Sequence, residues 1–393
     1  MAEATLIEIL SAREKRASHR ASLSHKYKTP TVTLTMNIAG PVKSTGLIRF
    51  AFSIGIRKIR EKIGEGCILQ SVIDSEAISG PYAVFAVSGD AESLKKTAVL
   101  IEEESPLGRL FDIDVITESG VMLSRETERG CIVCGRAGKY CSAGRLHPLD
   151  EVVKISERIL TEGVIREECN RISTLAVEAL LEEVYTTPKP GLVDKNNNGS
   201  HTDMELSTFE RSAAALKRYF ALFTEEGIRG RELPYGELFD RLRAVGVLAE
   251  RDMYSATVGV NTHKGVIFSF GIVCAAIGRL FAAEFSHAPL ERMLEEAGRI
   301  ASEAASRDFS TVKGETAGER MYLELGLGGI RVEAARGFPS VSETSLPELR
   351  SSLALGLCRN DAGVSALIHL IGCVDDTAIY NRRVCFSIVS VCL

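Results

Sequence analysis

The stretch EVYTTPKPGLVDKNNNGSHTDM, residues 183–204, ends an apolar helical pattern on Pro188 and Pro190 and then gathers Asp194, three asparagines, Gly199, His201 and Asp203. Proline fixes φ and removes a backbone donor, so a helix ending near Tyr185 cannot run through the pair and must give way to a loop. Two readings of that loop stand side by side. Asn, Asp and Gly build ordinary surface turns, and the same side chains serve an oxygen-rich ligand or its metal in functional loops.

Outward from this loop the chain has two textures. Between Tyr27 and Val121 short β-branched runs alternate with turns (TPTVTLTMNIAG, GCILQSVID, YAVFAVSG, LFDIDVI), with a helical stretch STGLIRFAFSIGIRKIREKI between the first two. These read as strands of an α/β or α+β domain. After about residue 163 the period lengthens to that of helices, as in RISTLAVEALLEEVY, STFERSAAALKRYFALF and PLERMLEEAGRIASEAASR. The expected architecture is multi-domain: an N-terminal α/β (α+β) domain over 1–163 and an all-α helical domain over 164–393. The boundary is expected in or beside the segment HPLDEVVKISERILTEG, which itself reads as a linking helix.

Composition narrows the function. The 393 residues are 45% apolar and 25% charged with a net charge of −5, a globular composition that argues against general nucleic-acid binding. The N-terminus MAEATLIEIL has no basic region before an apolar core, so a cytoplasmic protein is expected. GVIFSFGIVCAAIGRLFAAEF, residues 265–285, is interrupted by Arg279 and Glu284, and reads as a helix buried on all sides rather than a membrane span.

Several clusters carry chemistry. In GRLFDIDVI, Asp112 and Asp114 stand two apart on an expected strand, so both carboxylates project from one face, where Mg²⁺ would relieve their repulsion. The bland reading is the solvent face of an edge strand. In MNIAGPVKSTG, Lys43 is placed to meet a phosphate, with a strand-to-helix turn capped by Ser44 or Thr45 as the alternative. CIVCGRAGKYCSAGRLH offers Cys131, Cys134, Cys141 and His147, a ligand set for structural zinc, although the spacing is tight. REKRASHRASLSHKYK, residues 13–28, is a basic run that reads as a solvated helix face or a docking surface for an acidic partner. In the second half, AERDMYSATVGVNTHKGVIFSFG sets Glu250 before a turn with Asn261, His263 and Lys264. GLGGIRVEAARGFPSV adds Arg331 and Glu333, and VDDTAIYNR adds Asp375, Asp376 and Arg382. Four polar, Gly-rich junctions between apolar helices are expected to form one pocket at one end of a bundle.

EVYTTPKPGLVDKNNNGSHTDM, ATVGVNTHKGVIFSFG and GGIRVEAARGFPSV closely resemble the triphosphoribosyl-dephospho-coenzyme A synthase family. NIAGPVK, GRLFDIDV and the Cys/His cluster resemble the apo-citrate lyase phosphoribosyl-dephospho-coenzyme A transferase family, so the chain looks like the fusion of the two. The resemblance implies two reactions. ATP and 3′-dephospho-coenzyme A would give a triphosphoribosyl adduct and adenine, and a serine of the citrate lyase acyl carrier (gamma) subunit would attack that adduct and expel pyrophosphate. Set against this chemistry, Asp194, Asp203 and Glu250 are candidates for metal or cation stabilisation and His201 and His263 for proton transfer. Lys189, Lys264 and Arg331 would hold the triphosphate, with Asn261, Glu333, Asp376 and Arg382 completing the substrate site. Asp112 and Asp114 would hold Mg²⁺, with Lys43 on phosphate. Two departures stand out: Val332 replaces a family glycine, and after DDTAIYNRR the chain runs VCFSIVSVCL where the family continues for several helices, which reads as a truncation or a shifted frame. Rival readings are a zinc-knuckle interaction module on a helical scaffold and a metal-dependent phosphohydrolase.

Overall fold

A computed structural model describes residues 3–309 and 329–373. The chain divides into two compact units, Met1–Glu167 and Glu168–Leu393.

The first unit is built on a four-stranded sheet of β1 (Thr31–Met36), β2 (Ile68–Asp74), β3 (Tyr82–Val87) and β4 (Phe111–Ile116), in the order β2-β3-β1-β4 with all neighbours antiparallel. The strands fall where the β-branched runs lie. Helix α1 (Leu6–Tyr27) precedes β1, α2 (Gly46–Ile63) joins β1 to β2, and α3 (Ala91–Glu103) joins β3 to β4, which makes a split β-α-β arrangement with one helix added in front. One face of the sheet, with Leu34 and Phe111, lies so close to α2 that a Cβ on Gly55 would stand 2.8 Å from Leu34. Side chains of the other face include Tyr82, Val84 and Ala86, and Leu23 of α1 packs on them. β3 is therefore buried at every position, and the alternation expected of a half-exposed strand is absent from it. Helix α1 starts on a capping box, with Thr5 accepting from the Glu8 amide and Glu8 accepting from the Thr5 amide.

A short helix α4 (Gly138–Ala143) follows β4, and then α5 (Leu149–Tyr185) runs unbroken across the boundary between the units. The linking segment is thus the first half of one long helix. It ends where Pro188 and Pro190 require.

Among the described residues the second unit has helices and no strand: α6 (Leu206–Arg229), α7 (Tyr235–Ala256), α8 (Lys264–Glu284), α9 (Leu290–Phe309), α10 (Gly329–Ala335), α11 (Leu346–Ala354) and α12 (Arg359–Cys373). Its core gathers Leu216, Phe220, Phe223, Leu238, Met253, Ala275 and Ile300. By length and composition α8 could cross a membrane, and half of its most apolar window is buried. The expectation of burial on all sides needs correcting. Ile267, Gly271, Cys274, Ala275, Gly278 and Phe281 are buried, whereas Val266, Phe270, Val273 and Ile277 are only partly covered by the described residues. The helix meets α6 backbone to backbone: a Cβ on Gly227 would lie 2.1 Å from the Ala275 carbonyl oxygen, and one on Gly278 2.2 Å from that of Thr224.

That contact leaves no space for a methyl group, so Gly278→Ala must spread two helices. It is expected to destabilise the helical unit by about 3 kcal/mol, the upper end for overpacking. At Gly246 on α7 the nearest atom to an added Cβ is 3.9 Å away. There Gly246→Ala should be neutral or stabilise by up to about 1 kcal/mol through helix propensity. Urea unfolding followed by helical circular dichroism measures both.

Candidate active sites

In the first unit the register sets Asp112 opposite Thr35 and Asp114 opposite Thr33 on β1. Both aspartates therefore share the sheet face that α1 crosses, as their spacing requires. Asp112 is exposed and Asp114 half-buried. Burial pushes the Asp114 carboxyl above its ordinary value, and the neighbouring Asp112 charge pushes it further, against the pull of Lys95, Arg20 and Arg129. The basic run is not simply a solvated face. Arg13 is exposed, but Arg16, His19 and Arg20 turn partly inward. Arg16 stacks 5.7 Å over the Tyr82 ring, and the Tyr82 hydroxyl lies 3.3 Å from His19 Nδ1. Burial lowers the Arg16 guanidinium, Arg13 and Arg20 lower it further, and Tyr82 and Asp112 oppose the shift. Arg20 also lines a cleft of about 460 Å³ with His25 of α1, Lys28 just after it, Ile116 at the end of β4, and Glu118 and Ser119 beyond that strand. A carboxylate pair and a cationic cleft share one side of the sheet, the pairing that a polyphosphate and its metal need.

The strand carrying the aspartates is held from behind. Buried Glu102 accepts the Ile113 amide at 2.7 Å and pairs with Arg125 and Arg129, while Lys95 donates to the Ile113 carbonyl at 3.1 Å. Lys43, expected on phosphate, instead donates to the Ile38 carbonyl, and burial lowers its ammonium. The turn reading holds beside it, because Thr45 caps α2 by accepting from the Ile48 amide at 3.1 Å.

In the second unit the residues expected at one pocket form two groups. The first lies around a cavity of about 310 Å³ whose walls include Phe223, Phe239, Phe268 and Gly271 and whose charged lining is Arg243, Glu250 and Arg331. Lys264 pairs with Glu250 at 3.0 Å. Glu333 is spent on the turn after α10, where it accepts from the amide and the hydroxyl of Ser340. Arg243 escapes sequence reading because an arginine in an amphipathic helix resembles any solvent-facing one; it becomes visible only once α7 and α8 enclose the cavity.

The second group is the loop itself. Asp194 is 2% exposed. One oxygen accepts the Asn196 and Asn197 amides at 2.8 and 3.0 Å, and the other the Thr187 hydroxyl and Lys189 amide at 2.8 and 2.9 Å. Desolvation raises its carboxyl, but these hydrogen bonds outweigh it and hold the pKa at about 2. Both oxygens are thus used in ordering the loop, which accounts for Asp194 without a metal. Lys189, expected on phosphate, is 4% exposed with its ammonium on Glu183, 2.6 Å from the carboxylate and 2.8 Å from the carbonyl. His201 lies 3.7 Å from exposed Asp203. Asn360 clasps the loop, donating to the Thr187 carbonyl and accepting its amide at 2.7 and 2.9 Å.

The turn after α7 links the groups. Val260 packs with Val184, Val193, Met204 and Phe209 beneath the loop. Asn261 accepts the Lys264 amide at 3.3 Å, which opens α8. His263 is buried, 2.7 Å from Ser212 Oγ, which accepts from Thr262 at 2.8 Å, and the Phe209 ring stands edge-on at 5.3 Å. Burial lowers its pKa to about 4, so the imidazole is neutral at pH 7. Asp375, Asp376 and Arg382 lie outside the described residues.

Comparison with known proteins reaches both units. The family model for ATP:dephospho-CoA triphosphoribosyl transferase, CitG, matches residues 169–383, and that for apo-citrate lyase phosphoribosyl-dephospho-CoA transferase, CitX, matches residues 4–163. Protein CitXG of Haemophilus influenzae is 34% identical over 360 residues, spanning 88% of this chain and 76% of that protein. Protein CitXG of Leuconostoc mesenteroides subsp. cremoris is 30% identical over 400 residues, spanning 96% and 84%. The 2-(5''-triphosphoribosyl)-3'-dephosphocoenzyme-A synthase of Pectobacterium atrosepticum is 37% identical over 229 residues, spanning 57% of this chain and 76% of its own.

The buried histidine makes stability depend on pH. Its folded pKa of about 4 lies below the ordinary histidine value of 6.5, so between these values the unfolded chain binds the proton and the folded one does not. Stability from neutral His263 is complete above pH 6.5 and is lost as pH falls toward 4, a loss on the order of 3 kcal/mol. His263→Asn should flatten that interval in urea midpoints measured against pH; an unchanged slope would contradict the assignment.

Proposed function

We propose a two-step function from one premise: the chain belongs to the ATP:dephospho-CoA triphosphoribosyl transferase family and carries with it an apo-citrate lyase phosphoribosyl-dephospho-CoA transferase domain. It is a transferase of citrate lyase prosthetic-group biosynthesis. In the helical unit the 2′-hydroxyl of dephospho-CoA bonds to C1 of the ATP ribose, the glycosidic bond to adenine breaks, and the hydroxyl proton balances the leaving base. In the sheet unit a serine hydroxyl of the apo-citrate lyase acyl carrier subunit bonds to the α-phosphorus of the adduct, and pyrophosphate leaves with the proton passed to a base. ATP and dephospho-CoA as substrates support a cytoplasmic enzyme.

The observation that carries this reading is the aromatic-walled cavity that sets Glu250 beside Arg243 and Arg331. A glycosyl transfer passes through an oxocarbenium-like state, and a carboxylate on the cavity wall stabilises it. The arginines hold the triphosphate, the phenylalanines take the flat base, and Lys264 fixes the Glu250 carboxylate. His263, neutral at pH 7, keeps a lone pair for proton transfer, and Ser212 orients its ring. On the sheet, Asp112 and Asp114 suit Mg²⁺, since the Asp112 charge disfavours ionisation of Asp114 without a cation. The ion would neutralise charge on the departing pyrophosphate. Arg20 and the cleft it lines receive the phosphates of the adduct.

Two variants separate the halves. Glu250→Gln should lower adenine release from ATP and dephospho-CoA roughly a hundredfold or more while leaving transfer from premade adduct intact. Asp112→Asn should do the reverse. Inorganic phosphate as the product would support a phosphohydrolase instead, and equal loss of both steps in either variant would contradict the division of labour.

A further inference from the structure

The segment between β4 and α5 has almost nothing to hold it by burial. From residue 117 to 148 the one buried residue is Cys141. Its backbone is nonetheless folded back on itself: Gly130 pairs with Ala137, the Gly135 amide donates to the Cys131 carbonyl at 2.9 Å, and the Gly138 amide donates to the Arg129 carbonyl at 2.9 Å. A segment with no core of its own requires another staple, such as a disulfide or a metal.

The side chains converge where a staple would sit. One ligand atom from each of Cys131, Cys134, Cys141 and His147 lies within 4.8 Å of all the others. Cys134 and Cys141 sulfurs are 3.5 Å apart. Gly135, directly after the second cysteine, has φ +75°, and the Val133 amide donates to Cys131 Sγ at 3.4 Å. The chain thereby turns back on the Cys-x2-Cys pair and supplies an amide to its first sulfur. His147 gives the independent sign: Nε2 is buried without a hydrogen-bond partner, while Nδ1 faces the Glu151 carboxylate at 3.8 Å. A ligating histidine has this arrangement, one nitrogen on the metal and the other toward a carboxylate.

We propose that Cys131, Cys134, Cys141 and His147 bind one zinc ion as a closed structural site. Three sulfurs and one imidazole nitrogen are a tetrahedral zinc set with no position left for a substrate, so the ion holds the fold and takes no part in catalysis. A disulfide between Cys134 and Cys141 would leave Cys131 and the buried His147 nitrogen unused, whereas a metal uses all four. The knuckle is anchored to the sheet unit, since Arg109 donates to the Gly130 carbonyl and Arg129, just before it, pairs with Glu102. Glu102 in turn holds the amide of Ile113, between the two aspartates. The ion therefore positions the strand that bears Asp112 and Asp114.

The full chain, purified without chelator from zinc-replete cells, should carry about one zinc per molecule by elemental analysis. Stripping it should expose three further thiols to a thiol reagent, and cobalt substitution should give an intense thiolate-to-metal charge-transfer band. His147→Ala and Cys134→Ser should lose the metal, whereas His147→Cys, which keeps four ligands, should retain it. Adenine release, carried by the other unit, reports that the variants remain folded there. Zinc-free protein with reactive thiols, a Cys134–Cys141 disulfide in the peptide map, or zinc retained by Cys131→Ser/Cys134→Ser would each overturn the proposal.

Discussion

The helical unit depends on α6 and α8 meeting with no side chain between their backbones. Gly227 faces the Ala275 carbonyl and Gly278 faces the Thr224 carbonyl at separations that admit hydrogen alone. That contact fixes the register of the two helices, and the register has consequences along their length. A Cβ on Gly271 would stand 3.0 Å from the Phe223 ring, so the ring of one helix closes the cavity over the glycine of the other. Nearer the start of α8, Ser212 of α6 reaches His263. The cavity and the buried imidazole both result from one glycine-mediated crossing.

The sheet unit solves a different problem. Two carboxylates on one strand face repel each other, and a helix laid across that face must tolerate them. Helix α1 does so by offering Leu23 to the apolar end and Arg16 and Arg20 to the acidic one. Arginine suits this role because its planar guanidinium stacks on the Tyr82 ring while its charge stays near the acids. Arg20 of the same helix also lines the cleft between α1 and the end of β4.

Much of this was legible in the sequence. Short β-branched runs between turns marked the strands, and the i, i+2 spacing of Asp112 and Asp114 put them on one face whatever lay around them. Prolines 188 and 190 marked the end of α5. The rest was hidden for physical reasons. Residues that order a loop are of the same types as those that bind ligands, so Asp194 reads as a carboxylate for a metal or cation and Lys189 as a triphosphate contact, whereas in the fold their polar atoms meet Thr187, Asn196, Asn197 and Glu183. The basic run read as solvated because its apolar contribution is mainly Leu23, too little to show a buried stripe. Arg243 is polar in a polar row, and only tertiary packing distinguishes it.

If one chain both makes the prosthetic group and attaches it, the apo-citrate lyase acyl carrier subunit must gain mass when incubated with the purified chain, Mg²⁺, ATP and dephospho-CoA. Mass spectrometry of the carrier reads this directly. A serine should acquire the phosphoribosyl-dephospho-CoA group, with adenine and pyrophosphate released in equal amounts. A carrier of unchanged mass, when a known transferase modifies the same carrier from premade adduct, would contradict the two-step function.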